Sequence, residues 1–158
     1  MKLIESILAD AASIAAVRRD IHAHPELCFQ EQRTSDVIAK HTGSEYRVAM
    51  IGFTPGFAYL SGLDPAIATP RRENPRTETP PGTISIGGVQ ACVQCLAAPS
   101  GWHLLGRTPV RTFHPHRDPV FLMEPGDAVT FHAIAASEFA SLDRAAERGE
   151  AVAELIAS

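Results

Sequence analysis

Residues 46–63, YRVAMIGFTPGFAYLSGL, decide the reading of this chain. The stretch opens on a short apolar run over 48–51. Gly52, Pro55 and Gly56 follow, with Phe53, Phe57 and Tyr59 set among them. Glycine reaches positive φ, while proline fixes φ and lacks an N–H donor. The spacing therefore predicts a strand that runs into a bent backbone closed to further pairing. Three aromatic rings beside such a bend either pack a core edge or wall a pocket, because each carries a large apolar surface wherever it sits.

Outward from this stretch the pattern stays β-like on the C-terminal side. Short runs at 47–51, 83–86, 91–96, 103–107, 120–122 and 128–132 are separated by Gly and Pro, which predicts a closed or sandwiched β structure. Residues 63–82 form a long Pro- and Arg-rich connection, a length that in a compact domain points to function. The flanks read as helical. Leu3, Ile4, Ile7, Leu8, Ala11, Ile14, Ala15 and Val17 recur at helical spacing, predicting an amphipathic helix over 2–22 that Pro25 ends. A second helix is expected over 34–40, starting near Gln30 and stopping at Gly43. A third is expected over 139–156, weakened by Gly149. The apolar stripe of the first helix must be covered by the β domain, by its neighbour helix or by a second copy of the chain, so a homo-oligomer is one expected partner.

Composition narrows the function classes. A net charge of −4 and a pI near 5.9 argue against nucleic-acid binding, which calls for a basic face. The first helix is too polar and too interrupted to be a signal sequence or to span a membrane. With no such signal, Cys28, Cys92 and Cys95 read as reduced thiols of a cytoplasmic protein. Cys92 and Cys95 form a C-x-x-C without the helix or second ligand pair that redox or zinc chemistry needs. If a strand runs through 91–96 they point to opposite faces, which makes them structural. His22 and His24 lie two apart where zinc helices place ligands four apart, and no carboxylate cluster accompanies His114 and His116, so no metal is expected. No Ser-His-Asp pattern stands out.

Four blocks, in this order, carry a family resemblance: GFTPGFAYLSGLDP, ATPRRENPRTETPPGTISIGG, SGWHLLGRTP and EPGDAVTFHAI. Together they resemble the C-terminal domain of the family known as the 5-oxoprolinase B subunit, allophanate hydrolase subunit 1 or sporulation-kinase inhibitor. The resemblance covers residues 37–134 and implies a cyclophilin-like β-barrel. The expected fold is mainly β: that barrel with an N-terminal helical hairpin and a C-terminal helix. Residues 18–40, RRDIHAHPELCFQEQRTSDVIAK, resemble instead the extreme N-terminus of hippurate-hydrolase-type amidohydrolases. The chain thus reads as a chimera joined near Ile38 to Gly43, with an amidohydrolase-like segment over 1–40, the barrel domain over 41–137 and a terminal helix over 138–158. The segments that carry the zinc ligands in those hydrolases have no counterpart here.

Candidate site residues follow from chemistry and resemblance together. Arg71, Arg72 and Arg76 offer planar forks of donors on a proline-braced loop, suited to a small carboxylate, or they are solvated charges that offset Glu73 and Glu78. Gln90 carries a donor and an acceptor for an amide, although Gln94 and Cys95 stand where the family has Tyr and Pro. Trp102, the sole tryptophan, is either core or ligand platform. Arg107 leaves a strand before a Thr-Pro turn. Phe57, Arg71, Arg72, Gln90 and Arg107 are expected to converge on one concavity. The resemblance implies ATP-dependent opening of 5-oxoproline to glutamate, carried out with two partner subunits. ATP belongs to the full complex, since nothing in this chain resembles a phosphate-binding loop, and no cofactor is assigned to the chain itself. A related implication is amide handling in urea or allophanate metabolism. The alternatives are a binding module docked on histidine-kinase helices, or a chimera without activity.

Overall fold

The structure, a computed structural model, describes residues 32–154. The helix expected over 2–22 lies outside the described residues, as do Cys28, His22 and His24. The chain divides into two compact units, Met1–Val37 and Ile38–Ser158. Of the first unit, only the opening of one helix lies within the described residues; both sheets and the C-terminal helix belong to the second.

Helix α1, Gln32–Thr42, bears Lys40 and His41 in its last turn, where positive charge suits the helix dipole. Its final carbonyls are closed locally. Gly43 N–H donates to Ala39 at 2.8 Å, the Thr42 hydroxyl to Ile38 at 3.0 Å, and the Ser44 hydroxyl to Lys40 at 2.8 Å. Gly43 thus ends the helix where the sequence places its stop.

The body is a six-stranded, wholly antiparallel sheet. Its strands are β1 (Tyr46–Ile51), β2 (Ala58–Ser61), β4 (Thr83–Gly87), β5 (Gln90–Val93), β7 (His103–Arg107) and β8 (Ala128–Val129), in the order β7-β4-β5-β2-β1-β8. A second, two-stranded sheet pairs β3 (Arg76–Thr79) with β6 (Ala98–Ser100). The mainly β expectation holds, but β7 and β8 are the two ends of the sheet, and no pairing between them closes a barrel among the described residues.

Register shows which residues share a face. Val48 opposes Leu60, Leu60 opposes Ala91, and Ala91 opposes Ile86; all four are buried and form the core of one face. On the other face Met50 opposes Tyr59, Tyr59 opposes Cys92, Cys92 opposes Ser85, and Ser85 opposes Leu104. A bulge in β1 between Val48 and Met50 brings Met50 into this second row. Its centre is buried, whereas Met50 and Leu104 at its ends stay exposed.

Several expectations are corrected by the backbone. The strand expected over 91–96 stops at Val93. Gln94 turns away because its N–H donates to Thr83, its carbonyl accepts from Gly82, and its side-chain amide donates to Leu96. The run at 120–122 makes only an isolated bridge, Phe113 with Phe121. The buried Arg117 guanidinium takes the carbonyls of Arg111, Pro119 and Val120, and Pro119 has no N–H to give a ladder. The strand at 128–132 keeps two residues. The long connection over 63–82 is not structureless: it carries a 3-10 turn, Pro65–Ile67, and β3.

The C-terminal helix α2, Ala136–Glu147, begins earlier and ends sooner than expected. Gly149 at φ 87° is its stop, donating to Ala146 at 3.0 Å. The helix is tied to the β unit by Arg111, which donates to Asp143 at 2.7 Å in a half-buried ion pair.

Candidate functional site

The turn between β1 and β2 begins the site. Gly52 N–H donates to Phe57, and Phe57 N–H donates to Thr54. The backbone of Gly56, at φ 75°, lies so close to Phe113 that any side chain there would collide with its Cβ. This tight loop carries Phe57 onto the second face of the sheet. There it packs with Cys92, Cys95 and Trp102 into a buried cluster against which Tyr59 lies. The rings run as a row: Phe53 to Phe57 at 5.6 Å, Phe57 to Tyr59 at 4.8 Å and Tyr59 to Trp102 at 6.2 Å, all edge to face.

Trp102 reaches the row because Gly87 makes room. A Cβ at Gly87 would sit 2.7 Å from the indole. The long connection then folds over the tryptophan. Thr69 and Gly88 exchange backbone hydrogen bonds, Arg72 N–H donates to Gly101 at 2.7 Å, and Arg76 Nη1 donates to the Trp102 carbonyl at 2.8 Å. His103 Nε2 lies 2.9 Å from the Pro70 carbonyl. Held by these bonds, the exposed Arg71 places its guanidinium carbon 5.3 Å from the centre of the Trp102 ring, a cation–π contact. Its guanidinium has no hydrogen-bond or ion-pair partner among the described residues.

Cys92 and Cys95 are both buried free thiols. The expectation that they face opposite ways is corrected: because the strand ends at Val93, both enter the same cluster. Burial pushes the Cys92 thiol up to about 11, the neighbouring Cys95 adding to it, while the hydrogen bond with Ser85 and the charge of Arg71 pull the other way. A thiol so placed is neutral near pH 7 and is no nucleophile. Thr54 Oγ1 lies 2.9 Å from Cys95 Sγ and so pins the aromatic turn to the cluster floor.

The structure gathers some of the residues singled out from sequence and not others. Phe57 is in the cluster and Arg71 lies over it. Gln90 opens β5 opposite Gly87, two residues from Cys92 and on the same face. Arg72 adjoins the site through its backbone, but its side chain turns to the Asn74 carbonyl at 3.3 Å. Arg107 is not brought there. It pairs with Thr83, at the far end of β4 from Gly87, about 13 Å along the strand. Its guanidinium lies 5.6 Å from the Phe139 ring of α2 instead. Tyr59, one of the three rings that the sequence sets beside the bend as core edge or pocket wall, packs against the cluster, and its alternation with Ala58 and Leu60 puts it on this face. Its hydroxyl makes no hydrogen bond among the described residues.

Elsewhere, Ile51, Phe121, Met123, Glu124 and Pro125 line an open depression of about 370 Å³. Among the described residues no cluster of three or more His, Cys, Asp and Glu is placed to hold a metal. No described helix is long and apolar enough to cross a membrane.

Comparison with known proteins bears on this geometry. Over residues 27–123 the chain matches the family described as carboxyltransferase domain, subdomain C and D. That match begins within residues 18–40, where the sequence leads to the expectation of an amidohydrolase-like segment, and runs through the expected junction near Ile38 to Gly43. A 5-oxoprolinase B subunit of Bacillus subtilis is 41% identical over 104 residues, covering 66% of this chain and 43% of that protein. Its counterpart from Escherichia coli O157:H7 is 46% identical over 95 residues, covering 60% of this chain and 44% of that protein. The chain therefore spans less than half the length of these relatives. Among solved structures, a conserved uncharacterized protein of Pyrococcus horikoshii superposes with a TM-score of 0.64 at 44% identity, covering 73% of this chain and 55% of that one. The urea carboxylase of Kluyveromyces lactis superposes with a TM-score of 0.63 at 26% identity, covering 73% of this chain and 11% of that one.

Proposed function

We propose that this chain, which belongs to the carboxyltransferase-domain family of subdomains C and D, is the substrate-orienting part of a multi-subunit enzyme that opens 5-oxoproline to glutamate with ATP. The observation that carries this reading is the exposed, unpaired guanidinium of Arg71 over Trp102, beside the row that holds the Tyr59 hydroxyl and on the face that holds Gln90. A guanidinium pairs with a carboxylate through two parallel donors. An amide side chain answers the N–H and C=O of a lactam with one acceptor and one donor. Aromatic walls between them exclude water and accept a small flat ring. In this role the chain binds and orients, and the neutral Cys92 thiol takes no covalent part.

ATP supplies the energy to break a stable lactam amide. Among the described residues no glycine-rich turn leads into a helix, the shape that cradles nucleotide phosphates, so we assign ATP to the two partner subunits and derive no step through it here. The same membership underlies reading the six-stranded sheet as the wall of a cyclophilin-like barrel. Two buried free thiols support a reducing, cytoplasmic setting.

The test is 5-oxoproline-dependent ATP turnover by the purified chain, alone and mixed with two candidate partner subunits. Turnover only in the mixture, lost with Arg71→Ala, is the expected result. Turnover that survives omission of this chain overturns the proposal.

A second reading rests on a different surface. Met50, Val120 and Phe121 are exposed, and Phe121 lines the open depression near Met123. Such a surface suits the apolar face of a helix, as in docking on a histidine kinase. Kinase inhibition that survives Arg71→Ala but not Phe121→Asp would favour it.

A further inference from the structure

The segment over 69–72 is clipped at both ends by backbone. Thr69 and Gly88 exchange hydrogen bonds of 3.1 and 2.7 Å, and Arg72 N–H donates to the Gly101 carbonyl at 2.7 Å. Pro70 and Arg71 stand between these clips. Proline has no N–H, so its carbonyl is the one backbone polar group by which Pro70 can be tied down. His103 Nε2 meets that carbonyl at 2.9 Å. A carbonyl only accepts, which assigns the hydrogen to Nε2. The peptide held in this way leads directly into Arg71, whose guanidinium carbon stands 5.3 Å from the centre of the Trp102 ring.

These contacts close a ring of four residues. Trp102 and His103 are neighbours where β7 begins, and Pro70 and Arg71 are neighbours on the connection that crosses it. Imidazole grips carbonyl, and indole faces guanidinium. The frame under the grip is rigid. Trp102 is buried, and His103 opposes Ile86, a buried residue next to the Gly87 that admits the indole. His103 itself is half-buried and Arg71 exposed. A hydrogen bond so near water adds little to the stability of the fold, since water replaces it on unfolding. What it does set is the direction in which Arg71 leaves the backbone.

We infer that His103 is a positioning residue: through the Pro70 carbonyl it aims the Arg71 guanidinium across Trp102. The aiming stands on the contacts alone. Its consequence for a carboxylate ligand deepens the reading given under the proposed function and rests on it.

The test compares the wild-type chain with His103→Leu, His103→Gln, Arg71→Ala and the double variant His103→Leu, Arg71→Ala. Trp102 is the sole tryptophan, so emission from the purified chain reports the cation over its ring. Calorimetric titration with 5-oxoproline, in the complex with the partner subunits, reports binding. Leucine keeps bulk and removes the donor, whereas glutamine keeps an N–H at nearly the reach of Nε2. His103→Leu should move the emission toward that of Arg71→Ala. It should also weaken binding roughly three- to tenfold, the worth of one neutral hydrogen bond. His103→Gln should restore both. In the Arg71→Ala background His103→Leu should change neither further, because the two residues act as one unit. Wild-type emission and affinity in His103→Leu overturn the role. A shift that persists in the Arg71→Ala background also overturns it, because the imidazole then acts on the indole directly. If His103→Gln behaves like His103→Leu, ring packing rather than the hydrogen bond is at work, and the role falls again. No 5-oxoproline binding by the wild-type complex overturns the ligand reading, and the emission of the variants then decides the aiming of Arg71 by itself.

Discussion

Arg71 and Trp102 hold each other in place: the guanidinium carbon stands 5.3 Å from the centre of an indole that is itself buried. The arginine is exposed and carries no carboxylate partner among the described residues, so its charge is free for a ligand without first breaking an ion pair. Trp102 fixes the fork at little entropic cost, since a stacked guanidinium is already ordered.

The first prediction follows from this pair. Arg71→Ala should weaken 5-oxoproline binding by roughly 1.5–3 kcal/mol, the usual worth of a hydrogen bond to a charged group. Arg107→Ala should leave it unchanged, because that side chain lies on Phe139 at the far end of β4. Calorimetric titration of both variants in the complex checks the contrast. Equal losses would mean that the ligand lies elsewhere.

Gly87→Ala should displace the indole. The added methyl would lie 2.7 Å from the ring, with the strand backbone behind it and little room to yield. Overpacking of this kind costs about 1–3 kcal/mol. The chain has one tryptophan, so its emission reports the displacement directly. We expect a red shift and a lower urea midpoint for Gly87→Ala. Gly106→Ala is the control, because nothing lies within 4 Å of its added methyl and both readouts should hold.

Cys92 should resist alkylation in the folded protein at pH 8. Its thiol is pushed up to about 11, so below that pH the group is neutral, and the reactive species is the thiolate. Iodoacetamide labelling followed by peptide mass mapping should mark Cys92 only once denaturant opens the cluster. Labelling at the same rate in folded and unfolded protein would contradict its burial.

The legibility of this fold in its sequence varies with how local the signal is. Strand β7 occupies the span expected for it, because its ends are marked by Trp102 and by Thr108-Pro109. Strand β2 hides inside a turn-like stretch, because Gly56 and Gly62 bracket Ala58, Tyr59, Leu60 and Ser61 so closely that the four resemble punctuation. The run at 120–122 misleads for the opposite reason: three apolar residues look like a strand, but they make only two backbone bonds to 112–114 and an isolated bridge, with Pro119 lacking an N–H to extend it. In the site, Phe57 and Arg71 are legible from chemistry. Arg107 is not, since it does sit at a strand end, and only the β4–β7 register tells which end. For Tyr59 the alternation with Ala58 and Leu60 sets the face, and only the pairing of β2 with β5 tells that it stands opposite Cys92.

The last prediction concerns acid stability. His41 is buried at the end of α1, with Nδ1 2.7 Å from Tyr46 Oη, its ring against Phe131, and its Nε2 without a hydrogen-bond partner among the described residues. Burial holds its pKa below the ordinary 6.5, so the folded state keeps the imidazole neutral. The sign follows from proton counting. Below pH 6.5 the unfolded chain takes up a proton that the folded chain refuses, so stability is full above that pH and falls as the pH drops through the lower, folded value. His41→Phe removes the titration and the unpaired nitrogen. It keeps the ring packing, and it leaves Tyr46 Oη its bond to the backbone carbonyl of residue 41, at 3.1 Å. Urea unfolding at pH 8 and pH 5 should show a smaller acid loss for His41→Phe than for the wild type. Contributions from the surrounding carboxylates are common to both proteins and cancel in that comparison. Identical losses in the two proteins would show that His41 is protonated equally in the folded and unfolded states.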